Sequence, residues 1–253
     1  FESACTPYEW HKPIFERAKE KGLVCFSSPF DEDAVDFLEE LNVPAYKIAS
    51  FENNHYPLIE KVASTGKPII ISTGMATEEE LEEVFQIFKN SKSKDLIFLK
   101  CTSTYPASAN NTNIITIPEL KKIFNCEVGI SDHTLGIGTS VAAVALGATV
   151  IEKHFTLDRL DGGVDSAFSM EPDEFTMLVA ESHNAWLSLG KVFIGPTENE
   201  KKSVKFRRSI YAVKDIEKGE LFSEDNIAVI RPANGIHPRY FKGMIGKKSL
   251  KKI

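Results

Sequence analysis

The chain has 253 residues, 42% hydrophobic and 26% charged, with 17 Phe and a formal net charge of −6. A hydrophobic share this large buries a sizeable core, which excludes a disordered or fibrous chain, and the length suits one large domain plus a small one. Thirty Lys and Arg stand against 36 Asp and Glu, read as interspersed; this argues against a nucleic-acid or membrane partner, so any anionic ligand must be held locally.

In chain order, short β-rich apolar runs alternate with amphipathic segments. A strand is expected at 23–26, then a helix over 33–41 with Val35, Phe37, Leu38 and Leu41 at helical spacing. A strand at 45–49 precedes a helix over 58–64 that stops at Gly66. After the strand at 68–71, Thr77 with Glu80 makes a capping box for a helix over 78–90. Next come a strand at 96–99, a helix beginning at Pro118, a strand at 128–130, a small apolar helix over 139–146 and a strand at 149–151. A helix over 172–189 ends at Gly190. Six such units predict a parallel sheet covered on its outer face by helices. Residues 191–207, polar around Gly195-Pro196, read as a linker. Residues 208–253 read as a small β-rich module with strands at 209–213 and 227–231, a turn at 217–219 and a short helix near Asn226. So small a module is expected to pack against something. No apolar run approaches the about 18 residues of a membrane span, and no signal peptide is seen. Cys5, Cys25, Cys101 and Cys126 lack CxxC spacing, and two of them lie in apolar runs; this predicts reduced thiols and a cytosolic setting.

In a parallel α/β barrel the active site gathers at the C-terminal ends of the strands. Here the strand ends carry Ser27-Ser28, Lys47 and Ser50 with Glu52 beyond, Ser72-Thr73-Gly74, Lys100 with Thr102-Ser103, Ser131-Asp132-His133 and Glu152-Lys153-His154. One Ser or Thr after a strand is ordinarily a helix N-cap. Six polar endings in succession instead predict a site for a phosphate or carboxylate. His133 and His154 end adjacent strands: either they share one divalent metal, with Asp132 and Glu152 fixing the ring tautomers, or each is satisfied by its own hydrogen bonds. After Gly162-Gly163, Asp165 is either a turn former or an acid, base or hydroxyl-binding carboxylate over the barrel mouth.

Longer strings carry a resemblance. YKIAS (46–50), ISTGMA (71–76), KCTSTYPAS (100–108), GISDHTLGIG (129–138), AAVALGATVIEKHFTLD (142–158) and DGGVDSAFSMEP (161–172) resemble the nonulosonic, or sialic, acid synthase family. DGGVDSAFS and GIHPRYF (235–241) are more similar to its pseudaminic acid branch than to the N-acetylneuraminate branch. The tail, RRSIYAVKDIEKGELFSEDNIAVIRP, is similar to an antifreeze-like (SAF) domain. The resemblance implies a (β/α)8 TIM barrel followed by that domain. It also implies a metal-dependent condensation of phosphoenolpyruvate with an acylated amino sugar, for this branch 2,4-diacetamido-2,4,6-trideoxy-altropyranose, with release of phosphate. The metal would be Mn2+, with Mg2+ or Co2+ as alternatives. Carried over by motif position, Ser28, Lys47, Ser50, Ser72, Ser103 and Ser131 would cradle phosphoenolpyruvate, and His133 and His154 would hold the metal. Glu52, Tyr105 and Asp165 would orient sugar and water. Arg231, beside Phe206, would reach the sugar of the other subunit in a domain-swapped homodimer.

The chain departs from the family pattern at its front, where two strands bearing a catalytic Glu, a Lys-x-Gln and an Asn-rich loop are expected. The first residue is Phe1, and the tail stops about a turn and a strand early. The expectation is therefore of a fragment, inactive or poorly folded by itself. N-acetylneuraminate and legionaminate synthesis are the alternatives within the family. Outside it stand a Schiff-base aldolase using Lys100 or Lys153, and a non-catalytic sugar-binding scaffold.

Overall fold

The computed structural model of the chain describes residues 6–253, which fall into two compact units divided between Gly190 and Lys191. The first unit runs α1 (Tyr8–Glu20), α2 (Glu32–Glu40), β1 (Tyr46–Ile48), α3 (Tyr56–Ser64), β2 (Ile69–Ser72), α4 (Glu78–Lys89), β3 (Leu96–Cys101), α5 (Thr116–Phe124), β4 (Glu127–Ser131), α6 (Gly138–Ala145), β5 (Val150–Glu152) and α7 (Pro172–Leu189). Its five strands form one parallel sheet in the order β1-β2-β3-β4-β5, each joined to the next through a helix. This is part of a TIM-type barrel wall.

The local signals account for the helix boundaries. Asp31 caps α2 by accepting the Ala34 N–H, Thr77 and Glu80 close a reciprocal capping box on α4, and Asn125 ends α5 in the left-handed region. Strand alternation then divides the sheet into two chemistries. Ile48, Ile71, Phe98 and Ile130 face the helices and pack with Leu58, Val62, Val84, Leu120, Phe124 and Ala143 in the main core. On the other face the register aligns Cys101 with Ser131 and Ser131 with Glu152. Gly129 is required between them, because a Cβ there would lie 2.3 Å from the Val150 carbonyl oxygen and 2.6 Å from Leu99. Only a residue without a side chain lets β5 approach β4 this closely.

Two expectations for the first unit change. The strand expected at 23–26 reduces to a single parallel bridge from Ser27 to Tyr46, with Leu23 and Val24 mostly exposed. That run has one hydrogen-bonding neighbour among the described residues, and its apolar side chains find no layer to bury them. Helix α1 was not anticipated; none of its residues is fully buried and Pro13 lies within it, so its apolar periodicity is weak. Its ordering contact is aromatic, with Tyr8 and His11 packed on Phe37 of α2 at 4.5 and 5.2 Å between ring centroids.

The second unit, taken by itself, contains α8 (Glu198–Lys201), an antiparallel pair of β6 (Ser209–Ala212) and β7 (Ile227–Ile230), and α9 (Phe241–Met244) around Ile210, Ile216 and Ile227. The helix expected near Asn226 is instead a turn. The Asn226 side chain accepts the Ser223 N–H at 2.8 Å and donates to the Leu221 carbonyl at 3.0 Å, closing the loop on itself. Nor are the charges interspersed. Residues 191–253 carry 15 Lys and Arg against 7 Asp and Glu, whereas residues 1–190 carry 15 against 29.

Among the described residues no helix is long and apolar enough to cross a membrane. Cys25, Cys101 and Cys126 are free thiols, with Cys101 buried and the other two half-buried; Cys5 lies outside the described residues.

Candidate functional site

The polar groups at the strand ends converge on the inner face of the sheet. Lys47, in the middle of β1, is buried, and its Nζ donates to the Ser72 hydroxyl at 2.8 Å and to the Ile48 carbonyl at 3.1 Å. Glu152 Oε2 lies 3.4 Å from the same ammonium, and Glu152 Oε1 accepts from the Ser131 hydroxyl at 2.6 Å. An ammonium bonded to one hydroxyl and beside a half-exposed carboxylate, itself held by a second hydroxyl, is a site that exchanges readily with an incoming anion.

Beside it the chain after β2 is folded tightly over two more hydroxyls. The Gly74 N–H donates to Ser50 Oγ at 3.1 Å, and Asn53 fixes the turn by donating to the carbonyls of Ser72 and Gly74. A Cβ on Gly74 would stand 2.1 Å from Ser103 Oγ and 2.6 Å from Ser50 Oγ. The backbone therefore lies directly against the hydroxyl pair, which gives a small donor cradle. Glu52 follows β1 in a 3-10 turn; its Oε2 is buried without a hydrogen-bond partner among the described residues, and burial raises its pKa, offset only in part by its own backbone and by Lys47 and His55. Ser28 lies half-buried on the flank of β1, one residue past the Ser27 bridge.

The imidazoles of His133 and His154 face each other with ring centroids 5.2 Å apart at 67°. The Tyr105 ring lies 4.2 Å from that of His133 and 5.9 Å from that of His154, and Phe168 packs 5.1 Å from His154. His133 Nδ1 bonds the Thr102 carbonyl at 2.9 Å, which in the neutral ring leaves the lone pair on Nε2. His154 Nδ1 is 3.6 Å from Asp165 Oδ2. Asp165 holds φ at +65° behind two left-handed glycines, an unusual backbone that a short polar side chain tolerates. The strap 155–170 is pinned at both ends: the Met170 N–H donates to the His154 carbonyl, and Arg159 bonds Ser169 and the carboxylates of Glu171 and Glu174.

Electrostatics divide the pair. Burial lowers the pKa of His133, but hydrogen bonds with Cys101 and the Thr102 carbonyl outweigh it and the net shift is upward. His154 moves down, through burial and the adjacent His133 charge, against the pull of Asp165. Cys101 is the counterpart of the first shift. Burial pushes its thiol up, yet hydrogen bonds from His133, Ser50 and Ser103 bring it down from 9.0 to about 7.

Among the described residues no group of three His, Cys, Asp or Glu is arranged to hold a metal ion. Two imidazoles, one oriented by a carbonyl, fit a divalent ion whose remaining positions are taken by water or substrate oxygens.

Two expectations are corrected here. Asp132 and Glu152 do not touch the imidazoles: Glu152 turns to Ser131 and Lys47, and Asp132 turns to Thr134, Ser140 and Lys153. Asp132 alternates with His133 onto the helix-facing side of the sheet, whereas Glu152 shares the histidines' face but is drawn off by the Ser131 hydroxyl and the Lys47 ammonium. Lys100 and Lys153 are unsuited to Schiff-base chemistry. Lys100 alternates onto the helix-facing side and bonds the Cys101 carbonyl and Thr102, and Lys153 is buried in an ion pair. Phe206 and Arg231 belong to the second unit, where both are exposed and the Lys205 ammonium lies 5.0 Å over the Phe206 ring. Sequence reasoning missed Gly74 and Asn53 as builders of the cradle and the electrostatic coupling of Cys101 with His133. A cysteine ending an apolar strand is the one signal that pointed to any of these.

Known proteins match the chain over its whole length. Residues 1–193 match the model of the NeuB family and residues 207–253 that of the SAF domain. A pseudaminic acid synthase of Campylobacter jejuni is 50% identical over 253 residues, covering 100% of this chain and 74% of that protein. A pseudaminic acid synthase of Helicobacter pylori is 42% identical, covering 99% and 74%. The crystal structure of an N-acetylneuraminic acid synthetase from Leptospira borgpetersenii, in complex with citrate, matches with a TM-score of 0.74 and 35% identity, covering 79% of this chain and 70% of that one.

Proposed function

This chain belongs to the NeuB family, and on that premise we propose that it makes pseudaminic acid by condensing phosphoenolpyruvate with 2,4-diacetamido-2,4,6-trideoxy-altropyranose. The observation that carries the reading is the Lys47–Ser72–Ser131 anion site standing beside the facing imidazoles of His133 and His154. A cation and hydroxyls suited to phosphate and carboxylate beside two imidazoles suited to a metal support the reading, and the relatives at 50% and 42% identity bear the matching name.

In the reaction, carbon 3 of phosphoenolpyruvate bonds to the aldehyde carbon of the sugar, whose oxygen takes up a proton. A water oxygen adds at carbon 2, and phosphate departs with the electrons of the carbon–oxygen bond. Lys47, Ser50, Ser72, Ser103 and Ser131, with Ser28 at the flank, hold the two anionic groups, and Glu152 yields its contacts to the incoming oxyanion. A divalent ion held by His133 and His154, Mn2+ in the first instance, would supply Lewis acidity toward the aldehyde. Tyr105 walls the pocket, Asp165 orients sugar hydroxyls or water, and Glu52, with its raised pKa, is suited to holding or delivering a proton. The reading includes a cytoplasmic homodimer, supplying cell-surface glycans, whose basic small unit offers Arg231 and Phe206 to the sugar held by the other subunit. The opposite charge balance of the two units supports such an association.

The test is direct. Protein expressed from its own gene and supplied with phosphoenolpyruvate, Mn2+ and the diacetamido altrose sugar is expected to release phosphate and yield a nine-carbon acid, seen by mass spectrometry and abolished by EDTA. Preference for N-acetylmannosamine would overturn the pseudaminic assignment. Inactivation by borohydride with pyruvate, together with indifference to EDTA, would overturn the synthase reading.

A further inference from the structure

Asp132 and Lys153 continue the β4–β5 ladder one residue beyond the strands, since the Asp132 N–H donates to the Glu152 carbonyl at 3.0 Å. Alternation turns their side chains to the sheet face opposite Ser131 and Glu152, toward α6, where Asp132 Oδ2 and Lys153 Nζ meet at 3.1 Å with 0% and 2% of the side chains exposed. The residue that follows each of them is an imidazole of the site, His133 or His154.

The pair spends its hydrogen bonds on the turn that carries His133. Asp132 Oδ1 accepts the Thr134 N–H at 2.9 Å, Oδ2 accepts the Ser140 hydroxyl at 2.6 Å, and Lys153 donates to the Thr134 carbonyl at 2.5 Å. Thr134 is thus gripped at both its N–H and its C=O by the two residues that immediately precede the imidazoles. On the far side of each imidazole, the His133 carbonyl accepts from Ala107 and the His154 carbonyl from Met170. A buried ion pair is a poor choice for stability alone, because a well-packed apolar pair does as well or better. What it adds is direction: its charge-assisted bonds fix angles that apolar contacts leave free.

We propose that the Lys153–Asp132 pair is a positioning device that sets the spacing and mutual orientation of the His133 and His154 imidazoles, and through them metal affinity. The inference rests on the reading of those imidazoles as the metal site. Such supporting contacts typically govern about 10–100-fold in metal affinity.

Mn2+ affinity, measured without substrate from the EPR signal of free Mn2+, tests it on protein checked for folding by circular dichroism. The comparison runs across the parent, H133A/H154A, D132N/K153M and S140A. Binding by the parent that is lost in H133A/H154A upholds the metal reading. D132N/K153M removes both charges together, and its amide keeps an oxygen to accept the Thr134 N–H and an NH2 that can donate to the Ser140 hydroxyl; it is expected to bind Mn2+ at least about tenfold more weakly. S140A removes one bond to Asp132 and is expected to cost about threefold. Unchanged affinity in both variants overturns the inference and leaves the metal reading standing. A parent that binds no Mn2+, or whose binding survives H133A/H154A, overturns both. If D132N/K153M does not fold, S140A decides alone: a weakened affinity upholds the inference and an unchanged one overturns it.

Discussion

On the inner face of the strand ends Lys47 and Glu152 approach to 3.4 Å, with 39% of the Glu152 side chain exposed, whereas on the helix-facing side Lys153 and Asp132 meet at 3.1 Å with almost nothing exposed. Each pair sets a lysine against a carboxylate, and the two pairs share one strand, β5 and its extension. Their partners differ. Lys47 has a hydroxyl, from Ser72, and a half-exposed carboxylate, from Glu152, that a ligand can replace, while each atom of the Lys153–Asp132 pair is committed to the protein. A lysine beside a carboxylate therefore does not by itself mark an anion site. What marks one is a cation whose protein partners are weak or exchangeable.

Substitution of Lys47 sharpens that contrast most. Lys47→Met is expected to lower kcat/KM for phosphoenolpyruvate by about 10³-fold, with the thermal midpoint within about 3 °C of the parent; steady-state kinetics and a melt read both. Lys153→Met is expected to invert the balance, because it leaves Asp132 buried and uncompensated at about 3–5 kcal/mol, a fall in midpoint of roughly 10 °C. A larger loss of stability in Lys47→Met than in Lys153→Met would break the comparison.

Gly74→Ala tests whether the inner face depends on close packing of backbone against hydroxyls. Its new methyl has no room beside Ser103 and Ser50. It is expected to cost about 1–3 kcal/mol of stability and about tenfold in the KM for phosphoenolpyruvate through loss of the cradle.

The smallest effect concerns pH. Burial raises the pKa of Glu52 in the folded protein, so the folded state binds this proton more tightly than the unfolded state. The resulting stabilisation is present below the unfolded pKa of about 4.3 and is lost as pH rises through the folded pKa. Glu52→Gln should therefore gain stability relative to the parent as pH rises above that range, and the gap should narrow in acid. Melts from pH 4 to pH 8 measure it, and a gap that widens in acid would refute the assignment.

Much of the first unit was legible because its signals are local. Thr77 and Glu80 close a capping box wherever a helix follows them, and the apolar runs at 45–49, 68–71, 96–99, 128–130 and 149–151 need two covered faces. The run at 23–26 looked the same and failed, since a strand is completed by a neighbour on its ladder and not by its own composition. The gathering of Lys47, Ser50, Ser72, Ser103, Ser131, His133 and His154 at one edge followed from the rule that parallel strands present their C-terminal ends together.

The amino-acid order by itself determined the strand–helix alternation, the polar strand ends and the family resemblance, because each is written in neighbours along the chain. Tertiary structure alone decided which lysine faces the inner side of the sheet, that the Thr102 carbonyl rather than Asp132 partners His133, and that Gly74 lies against two hydroxyls. Those outcomes depend on strand register and on the alternation of side chains across two faces, and a shift of one residue would have exchanged the two lysine environments.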